Sequence, residues 1–139
     1  MDEIKIVRSL EKIAFKIRSL AVYLELKHYI VHKKSYLMHV YRWNRAIGKS
    51  YNLVKLALKY DLPIFVPDDV SMRYLRGIAF ENFNHKLEKT KRFKIIKAND
   101  YARGYKFDIA LVEEGISEEL LNNIVIPSCG YVVGYKAIY

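Results

Sequence analysis

A chain of 139 residues with 24 Lys and Arg against 15 Asp and Glu carries a formal charge of +9, and it has room for one domain with its own core but not for two. Its single cysteine, Cys129, excludes an internal disulfide and fits a reducing compartment; charges recur every few positions through the apolar N-terminal third, which excludes a membrane span. Asp2 and Glu3 stand where a secretory leader would be basic, so a cytoplasmic protein is expected, and the positive balance fits a polyanionic partner such as nucleic acid as well as it fits a solubilising surface.

From Ile4 to Val31 the apolar residues follow helical spacing. Val7, Leu10, Ala14, Ile17, Ala21 and Leu24 alternate steps of three and four, and Ile6, Ile13 and Leu20 widen the stripe. One long amphipathic helix is expected, with Asp2 as its cap. Its stripe must be covered, either by the rest of the domain, with residues 1–34 packed on a core of residues 35–139, or by a second copy in a coiled-coil-like homodimer. His28 and His32 share a face of this helix, but no cysteine or second pair accompanies them, so a metal is not expected there.

After a break at His32-Lys33-Lys34-Ser35, residues Tyr36 to Arg42 read as a strand rich in β-favouring side chains. The strand runs into Trp43-Asn44-Arg45-Ala46-Ile47-Gly48-Lys49-Ser50, and a helical pattern from Lys49 to Tyr60 starts inside that stretch. Gly-Lys-Ser at a strand-to-helix turn suits a phosphate: the glycine admits close backbone approach, the ammonium reaches the outer phosphates, and the hydroxyl can bind Mg²⁺. The phosphate-loop pattern places another glycine where Trp43 stands, so the loop is a variant form or a degraded site. Leu62-Pro63-Ile64-Phe65-Val66-Pro67, a short apolar run between prolines, then reads as a buried parallel strand.

Asp68 or Asp69 caps a further helix with Val70, Tyr74, Leu75, Ile78, Ala79 and Phe83 on one side. Lys86, Lys89, Lys91, Arg92, Lys94 and Lys97 surround an apolar Phe93-Ile95-Ile96 strand; they form the candidate nucleic-acid-binding face, or equally a strand edge guarded by lysines. Phe107 to Val112 is an apolar strand ending in Glu113, Glu114 and Gly115. A carboxylate at a strand's C-terminal end can hold a Mg²⁺ shell, and the next one can orient a water. Ser117 caps a short helix through Asn123, and Ile124-Val125-Ile126 and Gly130 to Tyr139 read as closing strands, broken by Pro127 and Gly134.

Together these segments resemble a minimal P-loop ATPase core, of the kind found in small phage and mobile-element proteins related to the ATPase part of helicases and terminases, over roughly residues 36–123. The resemblance implies an α/β fold: a mostly parallel sheet with helices on both faces, here preceded by the long N-terminal helix. It implies ATP on Gly48, Lys49 and Ser50, Mg²⁺ on Ser50 and Glu113, and Glu114 as the catalytic base that orients water. Glu113 stands where the family usually has Asp. The function expected is nucleotide binding with weak hydrolysis, on or near nucleic acid. The alternative is a non-catalytic viral or mobile-element inhibitor or adaptor, such as an anti-defence protein, that binds a host nucleic-acid-processing protein.

Overall fold

Five short runs rich in branched and aromatic residues become strands, and every pairing between them is parallel. In the computed structural model, which describes residues 2–41, 48–83, 94–100 and 106–138, they are β1 (Tyr36–Val40), β2 (Ile64–Val66), β3 (Ile95–Lys97), β4 (Phe107–Val112) and β5 (Cys129–Ala137). They lie in the order β1-β5-β4-β2-β3. Parallel neighbours cannot be joined by hairpins, so the chain crosses over between strands through α2 (Lys49–Tyr60), α3 (Asp69–Phe83) and α4 (Glu118–Leu120) with its extensions, while α1 (Glu3–Val31) precedes β1.

The side-chain alternation of the strands divides the core in two. Ile64, Val66, Ile109, Leu111, Val133 and Tyr135 meet Leu26 of α1, Leu53 and Leu56 of α2 and Leu75 of α3 on one face. Phe65, Ala110, Val112 and Val132 meet Leu121 and Val125 on the other. The sheet is therefore covered on both sides, which is why its strands are apolar at successive positions.

This layering creates a gap. The connection leaving β1 enters α2 on one face, and that leaving β4 enters the α4 segment on the other. β5 lies between these two strands. Diverging connections open a crevice above the carboxyl ends of the strands, the usual place for a ligand in an open α/β sheet.

Helix boundaries follow local chemistry. Asp2 Oδ1 accepts from the Ile4 N–H at 3.0 Å, Asp68 Oδ1 from Ser71 at 2.8 Å, and the Ser117 hydroxyl from Leu120 at 3.2 Å. α2 ends at Asp61, whose φ of 56° is left-handed. Among the described residues no helix is long and apolar enough to cross a membrane.

Three expectations need correction. Ile124-Val125-Ile126 is not a strand: Leu121–Val125 forms a π turn and Ile126–Ser128 a 3-10 turn. Leu121 and Val125, four apart, bury together against the sheet, and the Ser128 hydroxyl donates to the Ile124 carbonyl at 2.6 Å. A three-residue apolar run has no period of its own, so packing settles its form. Gly134 does not break the last strand either, for β5 runs through it because β4 passes too close there for any side chain. Finally, α1 buries only residues of its C-terminal half in the core: Val22, Tyr23, Leu26 and Ile30 are buried, while Ile4, Leu10, Ile13 and Ile17 remain more than half exposed.

Candidate functional site

The crevice between the ends of β1 and β4 holds four of the side chains singled out above. Gly48 precedes the first turn of α2 with φ 67°, and no side-chain hydrogen bond caps the helix. A Cβ at this position would press on the Ser19 hydroxyl of α1, at 2.7 Å, so both the dihedral angle and the space call for glycine. Directly after it come Lys49, which is buried, and Ser50, which is half-buried.

Glu113 and Glu114 reach the same place from the end of β4. The Phe65 carbonyl of β2 accepts from the Glu113 N–H at 2.9 Å and fixes the backbone as it leaves the sheet. The Ser50 hydroxyl donates to Glu113 Oε2 at 2.8 Å, and the Glu114 N–H donates to Glu113 Oε1 at 3.0 Å. Lys49 Nζ lies 3.8 Å from Glu114 Oε1. Glu114 Oε2 is buried without a hydrogen-bond partner among the described residues. The fold thus unites residues 63 positions apart in sequence.

Beside them opens a cleft of about 530 Å³, lined by Lys49, Ser50 and Glu114 and, on its apolar side, by Phe15 of α1 with Tyr74 and Ile78 of α3. That volume lies within the range of small-ligand sites. One wall is polar, with the Lys49 ammonium, the Ser50 hydroxyl and the Glu114 carboxylate, and the other is aromatic and aliphatic.

Two residues that sequence reasoning did not single out hold the site in place. The Tyr135 hydroxyl, buried on β5, donates to the Lys49 carbonyl at 3.1 Å and anchors the start of α2 to the middle of the gap. Burial, and then the charges of Glu113 and Glu114, push its phenol well above the usual range, so it remains a donor. Asn52 Nδ2 donates to the Ser19 carbonyl at 2.9 Å and ties α2 to α1 next to Gly48. Asn52 carried a signal, being a polar residue one position from the apolar face of its helix. Tyr135, in a strand of alternating apolar side chains, reads as core.

Burial raises the Glu113 carboxyl above the ordinary carboxylate range, opposed by the hydrogen bonds from Ser50 and the Glu114 N–H. A carboxyl whose folded pKa is raised holds its proton longer in the folded than in the unfolded chain. Its stabilising contribution is complete below the unfolded value of about 4.3 and fades as pH rises through the folded one. Relative to Glu113→Gln, the ligand-free protein should lose stability across that window. Urea unfolding of both proteins from pH 4 to 8 measures it, and a constant difference between them would mean that Glu113 titrates as if in water.

The other expected residues divide. Lys86, Lys89, Lys91 and Arg92 lie outside the described residues, as do Trp43 and Phe93. Lys94 is exposed, whereas Lys97 is half-buried with its ammonium 3.1 Å from Asp69 at the start of α3. The pair gives Lys97 a structural partner. The His28 and His32 rings lie 4.3 Å apart between centroids, tilted by 51°, and among the described residues no three His, Cys, Asp or Glu side chains cluster as metal ligands. Comparison with protein-family models, with curated proteins and with solved structures finds no match to this chain.

Proposed function

We propose that the crevice binds a nucleoside triphosphate, ATP or a close relative, together with Mg²⁺, as a P-loop-like site with weak hydrolytic activity. One observation carries the reading: Lys49 and Ser50 from the start of α2 meet Glu113 and Glu114 from the end of β4. A helix N-terminus and a lysine attract phosphate from one side, while carboxylates approach from the other.

The donor set suits the metal. Ser50 and Glu113 offer a hydroxyl and a carboxylate, hard oxygen donors, and a Mg²⁺ bound with a nucleotide takes only one or two protein oxygens, with phosphate and water completing its shell. When bound, the metal would supply charge neutralisation at the β- and γ-phosphates. The protein's own groups do the rest. Lys49 exchanges its contact with Glu114 for the outer phosphates, which leaves Glu114 to accept a hydrogen bond from a water, as its buried Oε2 lacks one. Tyr135 holds the first turn of α2 in register, and the Phe15 and Tyr74 side of the cleft receives the less polar end of the ligand.

The net charge of +9 supports a nucleic acid, or a protein that handles it, as partner of this domain. A second reading draws on the Lys49–Glu114 contact, through which the site satisfies part of its own charge without ligand. In that case the protein is a non-catalytic adaptor or inhibitor of viral or mobile-element type that keeps the sheet and has lost the nucleotide.

Thermal and urea unfolding with and without Mg²⁺-ATP separates the two. At a hundred times its dissociation constant, a ligand of the folded state should add about 2.7 kcal/mol. ATP in EDTA should add less. Absence of any stabilisation at millimolar Mg²⁺-ATP sinks the nucleotide site and leaves the adaptor.

A further inference from the structure

The helix α1 uses one side to dock on its own domain and keeps a different side, more regular and more apolar, in water. Ile6, Leu10, Ile13, Ile17, Leu20 and Leu24 follow one another at intervals of four, three, four, three and four residues. All six are Ile or Leu, and each is between 39% and 62% exposed. At 3.6 residues per turn, this stripe points roughly 150° away from the mean direction of Val22, Tyr23, Leu26 and Ile30, which meet the core. A helix built only to cover its own sheet would show a broad stripe facing that sheet. A narrow stripe that alternates steps of four and three residues has the spacing of a coiled-coil seam.

We infer that α1 is a self-association helix, and that its outer stripe packs against the same stripe of a second copy of this chain. Three features select a second copy. The stripe is unbroken by any polar residue over nearly three heptads, so a like helix complements it knob for hole. The flanking positions Val7, Ser9, Ala14, Lys16 and Ala21 include one charge, so two chains that are each strongly positive can meet there without setting like charges against each other, and the alanines allow close approach. Six half-exposed Ile and Leu side chains leave roughly 100 Å² each, so two stripes together remove on the order of 1,200 Å² from water, the scale of a specific interface.

The geometry also limits the number of copies. Higher-order coiled coils contact neighbours through both flanks of each helix. Here one flank ends at Tyr23, which is buried against its own core, leaving the flank of Val7, Ala14 and Ala21 for a single neighbour. The product is a dimer, with the two domains held by their docked helix ends and the clefts beside Phe15 on the far side of each helix from the seam.

The test is sedimentation velocity and light scattering on the full chain across a concentration series, with Ile13→Asp/Ile17→Asp as the variant. Both side chains are exposed in the single chain, so the docked half of α1 and the core should melt as before while self-association weakens by about a thousandfold or more. A wild-type protein that is dimeric, with a variant that is monomeric and still folded, supports the seam. A wild-type protein still monomeric at about 100 µM, where a micromolar dimer would be nearly complete, overturns it. So does a dimer that survives the double substitution. Vesicles of anionic phospholipid provide the last arm: a monomer that cosediments with them through these residues assigns the face to a lipid surface and also overturns the dimer.

Discussion

Lys49→Met is expected to abolish stabilisation by Mg²⁺-ATP and, in the absence of any ligand, to lower the stability of the protein by about 3 kcal/mol. The two effects come from one ammonium. Lys49 is buried, and its Nζ lies 3.8 Å from Glu114, whose neighbour Glu113 is also buried. An exposed pair at that distance would contribute about 0–1 kcal/mol. Burial changes the size of the effect, because removing the cation leaves carboxylates that have already lost much of their water and cannot recover it without opening the crevice. Part of Glu114 remains accessible, at 26% of its side chain, which keeps the expected loss at the lower end of the range for broken buried pairs. The double variant Lys49→Met/Glu114→Gln should regain most of the ligand-free stability while remaining blind to Mg²⁺-ATP. That split distinguishes a lysine that only balances charge from one that also binds phosphate. Urea unfolding followed by circular dichroism, with and without Mg²⁺-ATP, measures both quantities. An unchanged midpoint for Lys49→Met would place the ammonium in water, and a surviving response to nucleotide would remove Lys49 from the site.

The elements that could be read in advance are those whose limits are set by their own residues. α2 begins and ends where expected because Gly48 and Asp61 both take left-handed angles. β2 lies between Pro63 and Pro67, and β4 stops where Phe107–Val112 gives way to two acids. Their placement beside one another was less legible. That Ser50 would reach Glu113 depends on β5 entering the sheet between β1 and β4, and strand order is a property of crossovers that no single segment contains. Tyr135 escaped notice for a related reason: its alternation matches Val133, and only the neighbouring strand ends turn a core tyrosine into a donor for the Lys49 carbonyl. The periodicity of α1 announced a helix, yet two faces compete on it, and the sequence stripe alone does not say that Val22, Tyr23, Leu26 and Ile30 would be the ones to dock. Ile124-Val125-Ile126 shows the reverse failure, where β-branched composition pointed to a strand and the i to i+4 burial of Leu121 and Val125 overrode it.

Gly134→Ala should be the most damaging glycine-to-alanine change among the described residues, costing about 3 kcal/mol or more. In the parallel pairing of β4 with β5, Val112 lies opposite Gly134, and a Cβ there would collide with the carbonyl, amide nitrogen and carbonyl carbon of Val112. Flexible side chains can turn aside from such a contact. A strand in the middle of a sheet cannot, since it is held by ladder hydrogen bonds on both edges and by packed cores on both faces. Relief requires β4 and β5 to separate locally, and the residues that follow the collision on each strand are Glu113 and Tyr135. Loss of stability should therefore be accompanied by loss of the Ser50–Glu113 and Tyr135–Lys49 contacts, and with them the response to Mg²⁺-ATP. For a domain of this size the expected fall in melting temperature is about 10 °C. Gly77→Ala is the matched control: nothing lies within 4 Å of a Cβ at that helical position, and the change should stabilise α3 by about 0.5–1 kcal/mol. Differential scanning calorimetry of the two variants decides the matter. If Gly134→Ala melts within a degree or two of the parent protein, the close approach of β4 to β5 is not a constraint on the sheet, and the continuity of β5 through residue 134 needs another cause.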